Sequence, residues 1–394
     1  MTKALPQSRR RNPFEYGREL IADELVDRRS ELEQLLRSME NRAKLFLIGP
    51  RRYGKTSLLA TAAARAEREG GVVLRYDAER FDGLDALAQV LLTAAGRRLS
   101  TTVEKAGTLL KRFAGALRPT MSYNVQDGEF AVALGARDEP GAKALPIFTD
   151  VLDAIERMAA ESERQVTVII DEFQAVVQER GEVAEKQIRA TVQRHRHVSY
   201  IFAGSATRLL ADMTGDPHRA FYNLGARLFL GPVPRDEFAT FLRDGFIAAG
   251  FRCAEGAVDR ILNVAEEVPY SVQRLAHECW EQTRVSDDLT ITSDRVDVAV
   301  ARVVRQEDPA YTQIWNSLAV QQKRALNAVV LQEGRSLMSA GVSQRFKVPT
   351  PSMQRALAAL EQKGVVRQEE SLGAVRYRLQ DPLLGHWMRL AQQI

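Results

Sequence analysis

The sequence predicts an α/β fold, a parallel sheet with helices on both faces, followed by a helical unit and a smaller unit of helices and a hairpin. Three observations carry this. Five short apolar runs read as buried strands: KLFLIG (44–49), GVVLRYD (71–77), VTVIID (166–171), SYIFAGS (199–205) and RLFLGPV (227–233). Helical patterns at 55–68, 83–97, 147–161 and 181–196 alternate with them, and that alternation gives a parallel sheet. Beyond residue 235 the strand runs stop and long amphipathic stretches take over.

The elements follow in order. Residues 1–12 hold four basic residues and no acid, and read as a disordered basic tail. The turn NPFEYG leads into a charged helix near 28–39. Residues 13–234 form the sheet core, with an insertion at about 81–146. The insertion carries helices near 83–97 and 101–117 and a hairpin at 123–134, with Asp127-Gly128 as its turn. Residues 235–308 read as all-helical, Gly250 ending the first helix. In 309–394, helices at 311–318, 320–332 and 339–346 precede a Pro-Thr-Pro turn at 349–351. A helix at 352–363 then stops at Gly364, and two strand-like runs, VVRQEE and VRYRLQ, are joined by SLGA. That order is the order of a winged helix.

Composition narrows the class. Hydrophobic residues make up 45% and charged residues 27%, the mix of a soluble globular protein. No apolar run is long enough to span a membrane, and no apolar leader opens the chain, so no membrane partner is expected. Two cysteines, Cys253 and Cys279, form no disulfide framework and suit a reducing cytoplasm. The net charge is only +4, but residues 311–394 hold 11 basic against 5 acidic side chains. That excess suggests an anionic partner such as DNA, and equally fits a solvated surface.

Chemistry concentrates at two places. Gly49-Pro50-Arg51-Arg52-Tyr53-Gly54-Lys55-Thr56 matches GxxxxGK[ST], with a strand before it and a helix, opening through Ser57, after it. Two glycines let successive N–H groups turn inward on a phosphate, and the helix adds its positive end. Lys55 is expected on the β- and γ-phosphates and Thr56 on Mg²⁺. The second place is VTVIIDEFQ, where Asp171 and Glu172 close an apolar strand. Asp171 is expected to hold the Mg²⁺ and Glu172 to polarise the attacking water as general base.

Weaker candidates surround these. Ser205, at the end of the fourth strand run, faces either the γ-phosphate and water or a helix cap. Arg208, Arg219 and Arg227 are candidates for stabilising transferred charge, and Arg274 for a lid contact; each is equally a surface ion pair. The C-terminal unit presents Arg345, Lys347, Arg355, Lys363, Arg367, Arg376 and Arg378 as candidate nucleic-acid contacts, with protein docking as the alternative. No [NT]KxD motif selects guanine, no HExxH binds zinc and no GxSxG offers a nucleophile. His195 and His197 read as solvated residues at a helix end.

Taken together, Asn12-Pro13-Phe14, the Arg28–Leu32 helix start, GPRRYGKTSLL, VIIDEFQ and FAGSATRLL resemble the archaeal-type P-loop ATPases of the STAND class. These are relatives of AAA+ and origin-recognition initiator ATPases. The stretch from Glu267 to Gln273 resembles that family's lid, and the segment from Gly364 through Tyr377 and Asp381-Pro382 to Trp387 its winged helix. The resemblance implies that Phe14, Val26 and Arg28 flank the adenine and that Pro269 faces the nucleotide. It also implies ATP and Mg²⁺ as ligands. One departure stands out: the family's Phe-Tyr-x-Arg stretch is here Phe221-Tyr222-Asn223-Leu224, so Arg227 or Arg219 would have to supply that charge.

Two functions follow as expectations. The preferred one is an ATP-hydrolysing switch, its nucleotide between sheet core and lid, which repositions a winged helix that contacts duplex DNA or a protein. Nucleotide-dependent self-assembly is compatible with it. The other is a DNA-binding regulator whose nucleotide site is structural and does not hydrolyse.

Overall fold

The computed structural model describes residues 11–20, 25–100, 119–124, 129–134, 144–178, 181–205, 207–371 and 374–391. The helix expected at 101–117, the Asp127-Gly128 turn, most of the basic tail and the side chain of Arg208 lie outside the described residues. The chain divides into two compact units. One comprises 19–50 and 55–231; the other comprises 1–18, 51–54 and 232–394.

The first unit holds the sheet. Its strands are β1 (Lys44–Ile48), β2 (Val72–Asp77), β5 (Val166–Asp171), β6 (Val198–Gly204) and β7 (Ala226–Phe229). They lie in the order β2-β5-β6-β1-β7, and every pair is parallel. The three central strands are buried almost throughout, as the uninterrupted apolar runs require. Flanking helices are α1 (Arg29–Glu40), α2 (Lys55–Arg68), α3 (Leu84–Arg98), α4 (Ala144–Ser162), α5 (Gln174–Gln178), α6 (Gly181–Val192) and α7 (Thr207–Gly215). Strands β3 (Pro119–Asn124) and β4 (Glu129–Leu134) form the expected hairpin. Apolar residues of α3, α4 and α6 join those of β2, β5 and β6 in one core.

The hairpin starts at Pro119 rather than 123, α4 at Ala144 rather than 147, and the helix expected from 352 at Thr350, inside the Pro-Thr-Pro segment; two further boundaries also differ from expectation. Strand β7 ends at Phe229 rather than Val233; it is an edge strand, and Leu230 and Val233 are buried beyond its ladder. Helix α6 ends at Val192, four residues early, so His195 is not at a helix end. His195 is also not solvated. It is 4% exposed, with Nδ1 2.8 Å from the Tyr200 hydroxyl and Nε2 2.7 Å from Asp153 Oδ1. The buried Tyr200 hydroxyl needs a partner, and that need draws the ring inward.

The second unit contains α8 (Arg235–Ala248), α9 (Ala257–Val264), α10 (Pro269–Arg284), α11 (Ser293–Gln306) and α12 (Asp308–Asn316), with the short pair β8 (Arg252–Cys253) and β9 (Thr290–Ile291). Its C-terminal part has α13 (Val320–Leu331), α14 (Ala340–Phe346), α15 (Thr350–Gln362) and the antiparallel strands β10 (Val366–Ser371) and β11 (Ala374–Leu379). A further helix, α16 (Pro382–Ala391), follows the hairpin and was not expected. Asp381 starts it by accepting from the Leu383 N–H, and Pro382 sits where no N–H is needed. No described helix is long and apolar enough to cross a membrane.

Candidate functional site

Strand order places the chemistry. Ligands of open parallel sheets gather at the carboxyl ends of the strands. Strand β1 runs into the glycine loop, β5 ends at Asp171-Glu172, and β6, between them, ends at Gly204-Ser205. Three of the predicted motifs therefore meet at one edge of the sheet.

The loop begins at Gly49, where a Cβ would press on Leu230 at 2.8 Å, so no larger residue fits without movement. Gly54 has φ +86° with open space around its Cβ position. Both features suit a cradle of main-chain N–H groups rather than one filled by side chains. Helix α2 starts at Lys55 and directs its first N–H groups at the same place. Ser57, a further nucleotide-binding candidate of the sequence at the start of this helix, accepts a hydrogen bond from the Leu20 N–H at 3.0 Å.

The acid pair faces this helix start. Thr56 Oγ1 donates to Asp171 Oδ2 at 3.0 Å, placing the two expected magnesium ligands side by side. Lys55 is 5% exposed, with Nζ 4.0 Å from Glu172 Oε1 and 3.5 Å from the Pro50 carbonyl. Ser205 donates to Glu172 Oε2 through both its N–H and its hydroxyl, at 3.1 and 2.8 Å. It thus touches the base candidate itself, a use that neither expected reading named.

The two acids differ in environment. Burial pushes the Asp171 carboxyl above the usual carboxylate range, and Lys55 only partly offsets this. Burial also acts on Glu172, but Lys55 and the donors Gln174 and Ser205 outweigh it and hold Glu172 below the usual range. Glu172 has φ +48°, a conformation costly for a non-glycine residue and frequent at functional sites. No cluster of three or more His, Cys, Asp or Glu suitable for a metal exists among the described residues. One hydroxyl and one carboxylate match Mg²⁺, which retains water and completes its shell with phosphate oxygens.

Sequence reasoning missed Gln174. It is 4% exposed, and its Nε2 lies 2.5 Å from Glu172 Oε2. The available signal was its spacing, two residues beyond Glu172 in VIIDEFQ.

Other candidates lie elsewhere. Arg227 is exposed on the edge strand, over the Phe229 ring, and no described contact joins it to the acid pair. Arg219 is paired with Glu185. Arg28 is buried, donating to the Gly231 carbonyl at 2.7 Å and to Glu31. Phe14 is fully buried against Phe246 and Phe241, a packing residue rather than an open platform for a base. Pro269 is the first residue of α10. Arg274 is buried and paired with Glu307 at 2.6 Å. For Arg219, Arg28 and Arg274 the sequence showed the residue type but not the partner that takes it.

The loop tip, within the second unit, is held by neighbours there. Arg52 pairs with Asp381 at 2.5 Å and lies over the Tyr270 ring. Its carbonyl accepts from the Tyr270 N–H, and the Arg51 carbonyl accepts from Gln380. Tyr53 lies under the Arg367 guanidinium. Arg367 is therefore not a groove contact: it is 6% exposed and bonds the Leu379 carbonyl and Glu369. Arg378 is likewise taken by Glu266 and Glu369, and Arg376 by the Glu333 carbonyl. Arg345, Lys347, Arg355 and Lys363 remain exposed.

Residues 37–210 match the family described as AAA domain, and residues 309–390 match one described as probable winged helix domain. The structure is similar to the Walker-type ATPase PABY2304 of Pyrococcus abyssi, at 16% identity over 96% of this chain and 99% of that one, with a TM-score of 0.64. It is also similar to the Aeropyrum pernix ORC2 protein in its ADPNP–ADP complexes, at 18% identity over 98% and 99% of the two chains, with a TM-score of 0.55. No curated protein matches the chain. At such identities the likeness is one of fold: a P-loop ATPase core of AAA type, continued by a helical region and a winged helix domain.

Proposed function

We propose that the protein is a molecular switch that binds Mg²⁺–ATP at residues 49–56, hydrolyses it slowly, and passes its nucleotide state to the winged helix. The observation that carries this is the single cluster of Lys55, Thr56, Asp171 and Glu172, with Thr56 Oγ1 3.0 Å from Asp171. In this reading Gly49 and Gly54 shape the cradle, Lys55 meets the phosphates, and Thr56 with Asp171 holds the metal. Bound Mg²⁺ would neutralise phosphate charge. Glu172 takes the proton of the attacking water. The contacts of Arg51, Arg52 and Tyr53 with Tyr270, Arg367, Gln380 and Asp381 support the coupling. A change in the loop tip is felt directly by residues of the hairpin and of the start of α16. The output is a conformation, so slow turnover suffices.

Phosphate release with ATP and Mg²⁺ tests this reading. Wild type should turn over, and Glu172→Gln should fall by about 10²–10⁴-fold while still binding nucleotide. Absence of nucleotide binding, or a Glu172→Gln variant as active as wild type, ends it.

The exposed Arg345, Lys347 and Arg355 favour a second reading, a duplex-DNA regulator whose nucleotide site is structural. DNA affinity measured across salt with and without ATP separates the two. Steep salt dependence that ignores nucleotide supports the regulator, and affinity that appears only with ATP supports the switch. Particle size with a slowly hydrolysed ATP analogue tests self-assembly.

A further inference from the structure

We propose that Gln174 is a positioning residue for Glu172, holding the carboxylate so that Oε1 alone is turned toward the reacting centre. The inference rests on Glu172 being the base, as read above. Three donors converge on one oxygen of this carboxylate: Gln174 Nε2 at 2.5 Å, and the Ser205 N–H and hydroxyl at 3.1 and 2.8 Å. The other oxygen, Oε1, faces Lys55 Nζ at 4.0 Å. Two carboxylate oxygens are chemically equal, and an unrestrained glutamate would exchange them and change rotamer. Here the contacts distinguish them.

The seat of Gln174 is specific. The side chain is 4% exposed, and its Oε1 has no hydrogen-bond partner among the described residues. An orphaned buried acceptor is costly, and a mere filler would be apolar. The amide keeps its NH₂ on Glu172 because the reverse orientation would set oxygen against carboxylate. Gly204 makes room for the seat, since a Cβ there would collide with Gln174 Oε1 and with the Leu210 side chain. The last residue of β6 thus leaves space for the amide, and the next residue, Ser205, supplies the other two donors. Glu172 itself stands at φ +48°, a strained backbone whose side chain needs such fixing.

The test uses Gln174→Met, which keeps the volume and removes the donor, with Gln174→Leu as a second variant that also removes it. Binding of a fluorescent ATP analogue should stay within about twofold of wild type, while kcat falls roughly ten- to a hundredfold, the cost of a misplaced group. A second readout needs no nucleotide. Urea unfolding of wild type, Gln174→Met, Glu172→Ala and the double variant forms a cycle. The loss caused by Gln174→Met should disappear when Glu172 is already Ala. Wild-type kcat in Gln174→Met, or an unchanged loss in the Glu172→Ala background, overturns the proposal and leaves Gln174 a packing residue. If Gln174→Met fails to fold, Gln174→Leu decides by the same two measurements. Should wild type bind no nucleotide, the proposed function fails, but the cycle still answers whether Gln174 acts through Glu172.

Discussion

Replacing Lys55 with Met should destabilise the protein even without nucleotide. Lys55 is 5% exposed beside two adjacent acids, Asp171 at 3% and Glu172 at 15%. Removing the cation from a buried group of this kind costs about 3–5 kcal/mol, because the charge left behind has lost its compensation. The lower end applies here. The Lys55–Glu172 distance is 4.0 Å, and Glu172 keeps its donors Gln174 and Ser205. About 3 kcal/mol is therefore expected at pH 7. Asp171, whose carboxyl burial already holds above the usual range, carries most of it. A carboxyl raised in the folded state is favoured as the acid form, so the deficit should shrink as pH falls through its folded pKa. Adding Asp171→Asn should return roughly half the loss, about 1.5 kcal/mol, by removing the unpaired charge. Urea unfolding of nucleotide-free protein, followed by circular dichroism at pH 7 and pH 5.5, measures both effects. A Lys55→Met variant within about 0.5 kcal/mol of wild type, or a double variant no more stable than the single, would refute the electrostatic account of this cluster.

Three further outcomes are expected. His195→Leu strips the fully buried Tyr200 hydroxyl of its partner and should cost about 1–3 kcal/mol in urea unfolding, and Tyr200→Phe added to it should cost little more. Burial holds His195 below the ordinary histidine value, opposed by Asp153 and Glu156 and aided by Lys44, so the unfolded chain takes the proton first. Stability should then fall as pH drops below about 6.5, with a shallower slope in His195→Leu. If the winged helix binds duplex DNA, alanine at Arg345, Lys347 or Arg355 should each lower the salt slope by about one, whereas Arg367→Ala should lower thermal stability and leave the slope alone. Asp381→Asn breaks the pair with Arg52, which is 37% exposed and worth at most about 1 kcal/mol, so ADP affinity should weaken about two- to fivefold by fluorescence titration. Equal affinity would separate the loop tip from nucleotide binding.

The sheet was legible because its central strands are buried on both faces and so read as unbroken apolar runs. The edge strand was overextended for the same reason, since Leu230 and Val233 are buried by loop packing that no period reveals. Lys55, Thr56, Asp171 and Glu172 were legible because glycine spacing and strand ends are local properties. Their neighbours were not. Whether Ser205 meets a phosphate or a carboxylate depends on β6 lying next to β5, a pairing the sequence does not state. Gln174 looks in sequence like any polar residue opening a short helix. His195 looked solvated because its partners Asp153 and Tyr200 come from another helix and from the following strand. Helix α16 escaped notice although Asp381-Pro382 is itself a start signal.

The C-terminal charge excess changes meaning once the hairpin register is known. Arg367 stands directly opposite Arg378 across β10 and β11, and like charges in that relation repel. Glu369, two residues along on the same face, forms ion pairs with both arginines, at 3.0 Å to Arg367 and 2.8 Å to Arg378. Glu266 takes Arg378 a second time at 2.7 Å. Arg367 and Arg378 are thus taken up by Glu369, Glu266 and the Tyr53 ring, and Arg376 bonds the Glu333 carbonyl. Of the candidate contacts, Arg345, Lys347, Arg355 and Lys363 stay exposed, on α14, on α15 and just beyond them, while Arg335 and Arg389 are exposed elsewhere in this part. Arg345, Lys347, Arg355 and Lys363 are therefore the positions at which a DNA-binding test should substitute first, whereas the hairpin's Arg367 and Arg378 are already held by Tyr53, Glu266 and Glu369.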